Sequence, residues 1–423
     1  MPEDIKRKVS YYAIAVAFAG MLTQFTLIFC QSSFSQVIPD FLESTGLTKT
    51  DSGVITSTFG IVYALSGIVW GWVNDRIGSR STYAIMGLGG SLFMILFALL
   101  STNLLVATLL YSIMGFMIGG MAAASLPKLI GNWFTPSRRG FGMTIANVGG
   151  VLCGALIGVL VPQILIATNS WRTTLTTVGI IAAVIAVVYI LIMRNKPSDK
   201  GLLPFGPEEE VRAQVEDQKK IEKEKKPGIR AYLDALKLKN IWILGIMYIF
   251  FQFAYSGTNS YLATSFRELG QDAVMAGFAV TIYNIAQFIG QLFWGNLSDR
   301  IPRKWAMAGA CFTWGVFGAV FCFTYGADII IMYVIVFFMG IGLGAMSVKN
   351  AINIDYIPGE IRGTGAGVVA TYAVIGRYLG PMLTAVLWES VGLQWAFLAM
   401  GGAMILAGLT ALLLPKITKK EAI

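Results

Sequence analysis

The sequence predicts an all-α membrane protein with twelve transmembrane helices in two pseudo-symmetric six-helix bundles. Three observations carry that expectation. Of 423 residues, 56% are hydrophobic and only 13% charged, against about a quarter charged in a soluble domain. The apolar residues gather into about twelve charge-poor stretches of roughly 20 residues, the length that crosses a hydrocarbon core of about 30 Å. A charged decapeptide that comes after the second stretch recurs after the eighth.

The expected spans are 10–36, 51–74, 82–101, 104–128, 141–166, 172–193, 240–265, 273–296, 305–325, 329–352, 363–388 and 394–414. With no water in the hydrocarbon to satisfy the backbone, a spanning segment is a helix or part of a closed barrel. These runs are too long and too uniformly apolar for barrel strands.

The net charge of +9 does not point to nucleic acid, because the basic residues cluster between alternate apolar runs. With the N-terminus inside, 27 of the 32 Lys and Arg fall in cytoplasmic segments or at their edges. Lys49, Arg172 and Arg267 fall outside; Lys349 and Arg377 lie within spans. That asymmetry places both termini in the cytoplasm of a multi-pass inner (cell) membrane protein. Lys6, Arg7 and Lys8 precede an apolar run too long for a cleavable signal core.

Segment 195–239 separates bundle 1–194 from bundle 240–423. It carries Glu208, Glu209 and Glu210 and then the charged run 219–226. It reads as a charged cytoplasmic linker with no binding role needed, in part a solvated helix with Glu–Lys pairs. The four cysteines, Cys30, Cys153, Cys311 and Cys322, all sit in apolar runs, and there is no histidine. Neither a disulfide framework nor a metal site is expected. No nucleophile–base pair or nucleotide loop stands out, so neither an enzyme nor a cofactor is expected.

The repeat organises the chain. Gly71-Trp72-Val73-Asn74-Asp75-Arg76-Ile77-Gly78-Ser79-Arg80 is matched 224 residues later by Gly295-Asn296-Leu297-Ser298-Asp299-Arg300-Ile301-Pro302-Arg303-Lys304. Arg139-Gly140 opens the fifth span and Arg362-Gly363 the eleventh, 223 residues apart. The decapeptide resembles the signature loop of the major facilitator superfamily. Asn132-Trp133-Phe134, Arg138-Arg139-Gly140 and Ser170-Trp171-Arg172 are also similar to that superfamily. The resemblance implies secondary transport by alternating access. It also implies that Gly71, Asp75, Arg76 and Arg80, with Gly295, Asp299 and Arg300, form the cytoplasmic gate, Asp75 and Asp299 bracing it when the protein opens outward. The plainer reading is a basic turn that sets topology. Gly150, Gly154 and Gly158 recur every four positions in the fifth span. Such spacing lets helices approach closely, either between the halves at the extracellular gate or as ordinary packing. Gly376, Gly380 and Pro381 allow a bend in the eleventh span.

Arg377 is the strongest candidate for substrate binding. An arginine near mid-membrane costs about 2.5–3.5 kcal/mol on insertion scales, and no Asp or Glu lies mid-span to neutralise it. An anionic substrate can do so, and guanidinium grips carboxylate through two hydrogen bonds. The alternative is a structural arginine on backbone carbonyls. Lys349 either joins the pocket or snorkels to the interface; Lys128 reads as interfacial. Tyr248, Gln252, Tyr255 and Asn259 share one face of the seventh span. Tyr283, Asn284, Gln287 and Gln291 stand in the eighth span, and Gln24 and Gln31 share a face of the first. Glutamine facing lipid is costly, so these faces point inward, to substrate or to other helices.

A polar, aromatic pocket with one or two cations is similar to that of the oxalate/formate antiporters and monocarboxylate transporters. The linker start Lys200-Gly201-Leu202-Leu203-Pro204 also resembles such carriers. That branch implies a small organic anion moved by exchange or together with a proton, and a monomer. The oxalate/formate pattern, however, has an arginine in the eighth span and a lysine in the eleventh. Here the eighth span has no basic residue and the eleventh has Arg377. The other readings are efflux of amphipathic drugs and, from another class, a membrane sensor that does not transport.

Overall fold

A computed structural model describes residues 3–121, 125–211, 238–357 and 362–415. Among these residues there are thirteen α-helices: α1 (Glu3–Thr45), α2 (Lys49–Leu100), α3 (Leu104–Ile118), α4 (Leu126–Trp133), α5 (Arg139–Thr168), α6 (Trp171–Ile192), α7 (Lys239–Glu268), α8 (Ala273–Arg300), α9 (Arg303–Phe323), α10 (Ile329–Leu343), α11 (Ala345–Tyr356), α12 (Arg362–Ser390) and α13 (Leu393–Leu412). Each expected span falls on this helical framework. The second and third share α2, the fourth runs along α3 and α4, and the tenth runs along α10 and α11.

Why one helix holds two spans is a matter of one residue. α2 turns at Gly78, whose φ is 80°, a region that L-residues with a Cβ enter only at a cost. A Cβ there would also lie 2.7 Å from the Asn195 side-chain amide. The repeat-related residue is Pro302, which has no N–H to continue a helix. There α8 stops at Arg300 and a separate α9 begins at Arg303.

The chain divides into two compact units, one made of residues 1–34, 62–154 and 170–226, the other of 35–61, 155–169 and 227–423. The linker end of a helix is the end toward residues 194–211 in the first unit and toward residues 238–240 in the second; the opposite one is its far end.

In the first unit, the linker end is organised by the last helix, α6. The carbonyls that end a helix have no partner in the helix itself and favour cations. Arg80 Nε donates to Ile190 O at 3.1 Å, and the Arg80 amide donates to Asn195 Oδ1 at 2.7 Å. Trp133 Nε1 donates to Arg194 O at 3.0 Å. The second unit repeats the arrangement. Lys304 Nζ donates to Leu414 O at 2.6 Å, and the Tyr356 hydroxyl donates to Pro415 O at 2.9 Å. The repeat seen in sequence is therefore a repeat of contacts.

The linker departs from the sequence reading at its start. Residues 196–211 fold back onto the loop between α4 and α5. Phe205 N donates to Trp133 O at 2.8 Å, and Thr135 N donates to Phe205 O at 3.0 Å, a short bridge of extended backbone. The Phe134 and Phe205 rings meet edge to face at 5.7 Å. Glu210 accepts from the Ser137 amide at 3.1 Å and from its hydroxyl at 2.9 Å. This stretch is a clasp rather than a free tether. The charged run 219–226 lies outside the described residues.

The Ser137 amide holds the Glu210 carboxyl below its ordinary value of 4.5. A carboxylate depressed on folding stabilises the clasp fully above that value, and the contribution is lost as pH falls through the lower folded value. Hydrogen exchange at the Thr135 and Phe205 amides, corrected for intrinsic rate, will therefore stay protected at neutral pH and open up only below about pH 4.5. Glu210→Ala will raise exchange at both amides several-fold at pH 7. Unchanged protection in that variant would show that Glu210 plays no part in the clasp.

In the second unit, α7 packs against α12 and α13, α9 against α10 and α13, and α8 against α10. Its far end holds a polar network. Glu268 receives Trp388 Nε1 at 2.7 Å and the Tyr325 hydroxyl at 3.1 Å, with Lys49 Nζ at 3.4 Å. Glu389 accepts from the Thr50 amide at 2.9 Å and from its hydroxyl. Arg267 pairs with Asp40 at 3.0 Å, and Ser52 and Tyr261 share a hydrogen bond of 2.9 Å. These contacts join segment 35–61 of the first sequence half to α7 and α12 of the second.

Candidate functional site

Arg377 and Lys349 are the two charges that sequence places within the membrane, and both lie in the second unit. Arg377 is on α12, half-buried, and Lys349 on α11, half-buried. Lys349 packs on Tyr248 and Phe251 of α7, and Gly376, next to Arg377, packs on Ile249 of the same stretch, so both cations stand against one part of α7. Lys349 Nζ lies over two rings, 4.9 Å from the centre of Tyr248 and 5.3 Å from that of Phe251. An ammonium over an aromatic face is attracted by the ring quadrupole, which keeps this cation tolerable away from bulk water. The Tyr248 hydroxyl also donates to the Lys349 carbonyl at 3.2 Å. Tyr248 thus touches Lys349 with both its ring and its hydroxyl.

Gln252 lies one turn beyond Tyr248 on α7 and is 7% exposed. Its Oε1 has no hydrogen-bond partner among the described residues. A buried amide oxygen left so costs roughly 1–3 kcal/mol, which a ligand hydroxyl or a water would recover. Gln287 Nε2 contacts Met346 Sδ at 3.2 Å, which brings α8 onto the helix that carries Lys349. Tyr255 is half-buried on the same helix as Gln252.

Other candidates lie away from this locus. The Tyr283 hydroxyl is fully buried and accepts from Trp314 Nε1 at 3.1 Å, a contact between α8 and α9. Asn284 Nδ2 donates back to Val280 O at 2.8 Å within its own helix. Gln24 belongs to the first unit, is 6% exposed, and its Nε2 has no partner among the described residues. Phe251 is a member of the locus that sequence reasoning missed. It stands three residues beyond Tyr248 on the same helix face, but a phenylalanine in an apolar span reads as packing.

At the gate motif, Asp75 Oδ1 pairs with Lys128 Nζ at 3.0 Å, and Lys128 also donates to Asn74 O at 2.8 Å. Lys128 is thus tied to the motif rather than only interfacial. The pair is partly exposed, and such pairs contribute about 0–1 kcal/mol. Its use is to hold α4 against the turn of α2. Arg76 lies over the Trp72 ring at 3.8 Å. Gly71 is half-buried on α2, and in the second copy Gly295 is half-buried on α8 and Arg300 exposed. The Asp299 and Arg362 side chains lie outside the described residues.

Comparison with known proteins decides the family. The model of the Major Facilitator Superfamily matches residues 20–268 and 244–422. The chain belongs to this superfamily. It is a multi-pass secondary transporter of a small organic molecule and not an enzyme, with the fold of twelve transmembrane helices that the sequence predicts. A probable hexose phosphate transport protein of Chlamydia trachomatis serovar D is 25% identical, over 98% of this chain and 92% of that protein. A hexuronate transporter of Bacillus subtilis is 26% identical over 90% of each. The membrane sensor protein UhpC of Salmonella typhimurium is 28% identical, over 64% of this chain and 61% of the sensor. Among solved structures, a bacterial homolog of the human lysosomal transporter Spinster superposes with a TM-score of 0.77 at 15% identity, covering 96% of this chain and 97% of that one. That likeness concerns the fold. The match to the oxalate/formate branch does not appear among these relatives.

Proposed function

We propose that this facilitator moves a small hydroxylated organic anion, a carboxylate or a phosphate, across the cytoplasmic membrane by alternating access. The observation that carries the reading is the pair of cations, Arg377 and Lys349, on two helices that both pack on the 248–251 stretch of α7 in the second unit. Two positive charges in a low-dielectric setting repel, and an anion between them turns that repulsion into attraction. The buried Gln252 amide, one turn beyond Tyr248 on α7, offers an acceptor for a ligand hydroxyl. The names of the relatives, a hexose phosphate carrier and a hexuronate carrier, fit an anionic group on a polyhydroxylated frame. Tyr248, Gln252, Tyr255 and Gln287 complete the proposed pocket, with Tyr283 and Asn284 as more remote members of the same unit, and Gln24 stays a separate candidate in the first unit. Gly71, Asp75, Arg76, Arg80, Gly295, Asp299 and Arg300 serve the cytoplasmic gate, and the linker end faces the cytoplasm with both termini. The protein works as a monomer.

Coupling is constrained by the residues that the spans lack. With no histidine and no mid-span carboxylate, no protein group there is suited to carry the coupling proton. Exchange of one anion for another, or a proton carried on the substrate, meets the requirement.

The test is flux into proteoliposomes of labelled glucuronate, glucose 6-phosphate, oxalate, formate, lactate and pyruvate, with and without internal anion. Uptake of a hydroxylated anion, accelerated by internal anion, is the expected result. Preference for oxalate or formate would return the chain to the oxalate/formate-like branch. Movement of neutral or cationic solutes alone would overturn the reading. The likeness to a membrane sensor favours one alternative, and tight binding of an anion with no flux in either direction would establish it.

A further inference from the structure

The far-end half of α2 meets Arg377 through a glycine. A Cβ added at Gly60 would lie 3.1 Å from Arg377 Cγ and 3.3 Å from the Arg377 carbonyl oxygen. Both distances are tighter than ordinary van der Waals contact. The bare Cα therefore seats on the backbone and the first carbons of the arginine stem at once. Seven residues earlier, on the same face of α2, a Cβ at Gly53 would meet the Pro381 carbonyl at 3.3 Å and collide with the Ala385 side chain. From the other side of α12, a Cβ at Gly376 would collide with the Ile249 carbonyl of α7. The residue that carries the guanidinium is thus held between two helices at the distance of bare backbone.

The sequence of α12 adds a hinge at the same place. Pro381 stands four residues after Arg377 and has no N–H to donate back to the Arg377 carbonyl. A helix bends readily at such a point. Any push on the stem here moves the guanidinium, because the contact from α2 falls on the residue that carries it. The far-end network fixes the other end of the same stretch of α2, through Lys49 to Glu268 and Thr50 to Glu389.

We propose that Gly60 is a positioning residue for Arg377: seating of α2 on α12 at Arg377 sets where the guanidinium points. Docking of this segment and gripping of the anion are then one event. The inference rests on the reading of Arg377 as the anion-binding residue and adds to it the residue that aims the group.

The experiment uses the full chain in proteoliposomes with labelled glucuronate and glucose 6-phosphate as probes. Wild type is compared with Gly60→Ala, Gly60→Val, Arg377→Ala and the double variant Gly60→Ala/Arg377→Ala. Expected for Gly60→Val is a rise in half-saturation of at least 10-fold, with thermal unfolding within a few degrees of wild type. Gly60→Ala gives a smaller rise. In the Arg377→Ala background, Gly60→Ala adds nothing, because the side chain it displaces is gone. A merely structural glycine would instead lower the unfolding temperature and act equally in both backgrounds. An unchanged half-saturation for Gly60→Val, with Arg377→Ala impaired, overturns this inference and leaves the anion reading standing. Normal half-saturation for Arg377→Ala overturns both.

Discussion

Arg377→Ala will raise the half-saturation for the anion by about 100-fold or more, with residual uptake at high substrate, while leaving a folded, membrane-inserted protein. Two charge-assisted hydrogen bonds to an anionic group are each worth about 1.5–3 kcal/mol. Their joint loss, at 1.4 kcal/mol per tenfold, lowers affinity by roughly 10²–10⁴-fold. The same substitution lifts an insertion cost of about 2.5–3.5 kcal/mol, so the variant should reach the membrane at least as well as wild type. The combination discriminates. A structural arginine bound to carbonyls would, when removed, lower the unfolding temperature and spare affinity. Arg377→Lys keeps a point charge but loses the planar fork, so it should fall between, nearer to alanine for a carboxylate than for a phosphate. Uptake and unfolding temperature of the three proteins in the same lipid settle the matter, and normal uptake by Arg377→Ala would remove the main support for an anionic substrate.

Lys349 should matter less. Its ammonium already rests over the Tyr248 and Phe251 rings, so part of its stabilisation does not depend on a ligand. On the anion reading the division of labour is physical: the arginine would offer directional donors, and the lysine would add a long-range charge that raises the local concentration of anions.

How much of the molecule was legible in the sequence depends on the range of each force. Spans were legible because a bilayer imposes a length and a polarity on consecutive residues. The repeat was legible because its residues are contiguous. Breaks inside apolar runs were not: the turn at Gly78 and the step between Leu343 and Ala345 leave hydropathy untouched. The clasp of Phe205 on the Trp133–Thr135 backbone was hidden because an extended bridge depends on a partner about 70 residues away, and charge density in the stretch after it masked it. Arg377 was legible by its cost. Gly60 was not, since 47 glycines are present and spacing alone does not say which of them faces an arginine.

The glycine row of α5 shows how far spacing can go and gives the second large effect. Gly158 and Gly277 face each other across α5 and α8, and a Cβ on either would collide with the carbonyl oxygen of the other. Thr281 Oγ1 donates to Ala155 O at 2.9 Å across the same contact. Helices this close interact backbone to backbone, an arrangement open only to small residues. Overpacking costs about 1–3 kcal/mol even where neighbours can yield, and a carbonyl on a helix yields little. Gly158→Val should therefore push the helices apart at the far end and cut transport at least 10-fold. Gly150, two steps earlier in the row, makes the control. A Cβ there would meet Ile28 at 3.5 Å, ordinary contact, so Gly150→Ala should transport nearly as wild type. Initial uptake rates of the two variants, normalised to protein in the membrane, test both statements. Equal rates would mean that the row is generic packing, whereas loss at 158 alone would locate the essential contact where α5 meets α8.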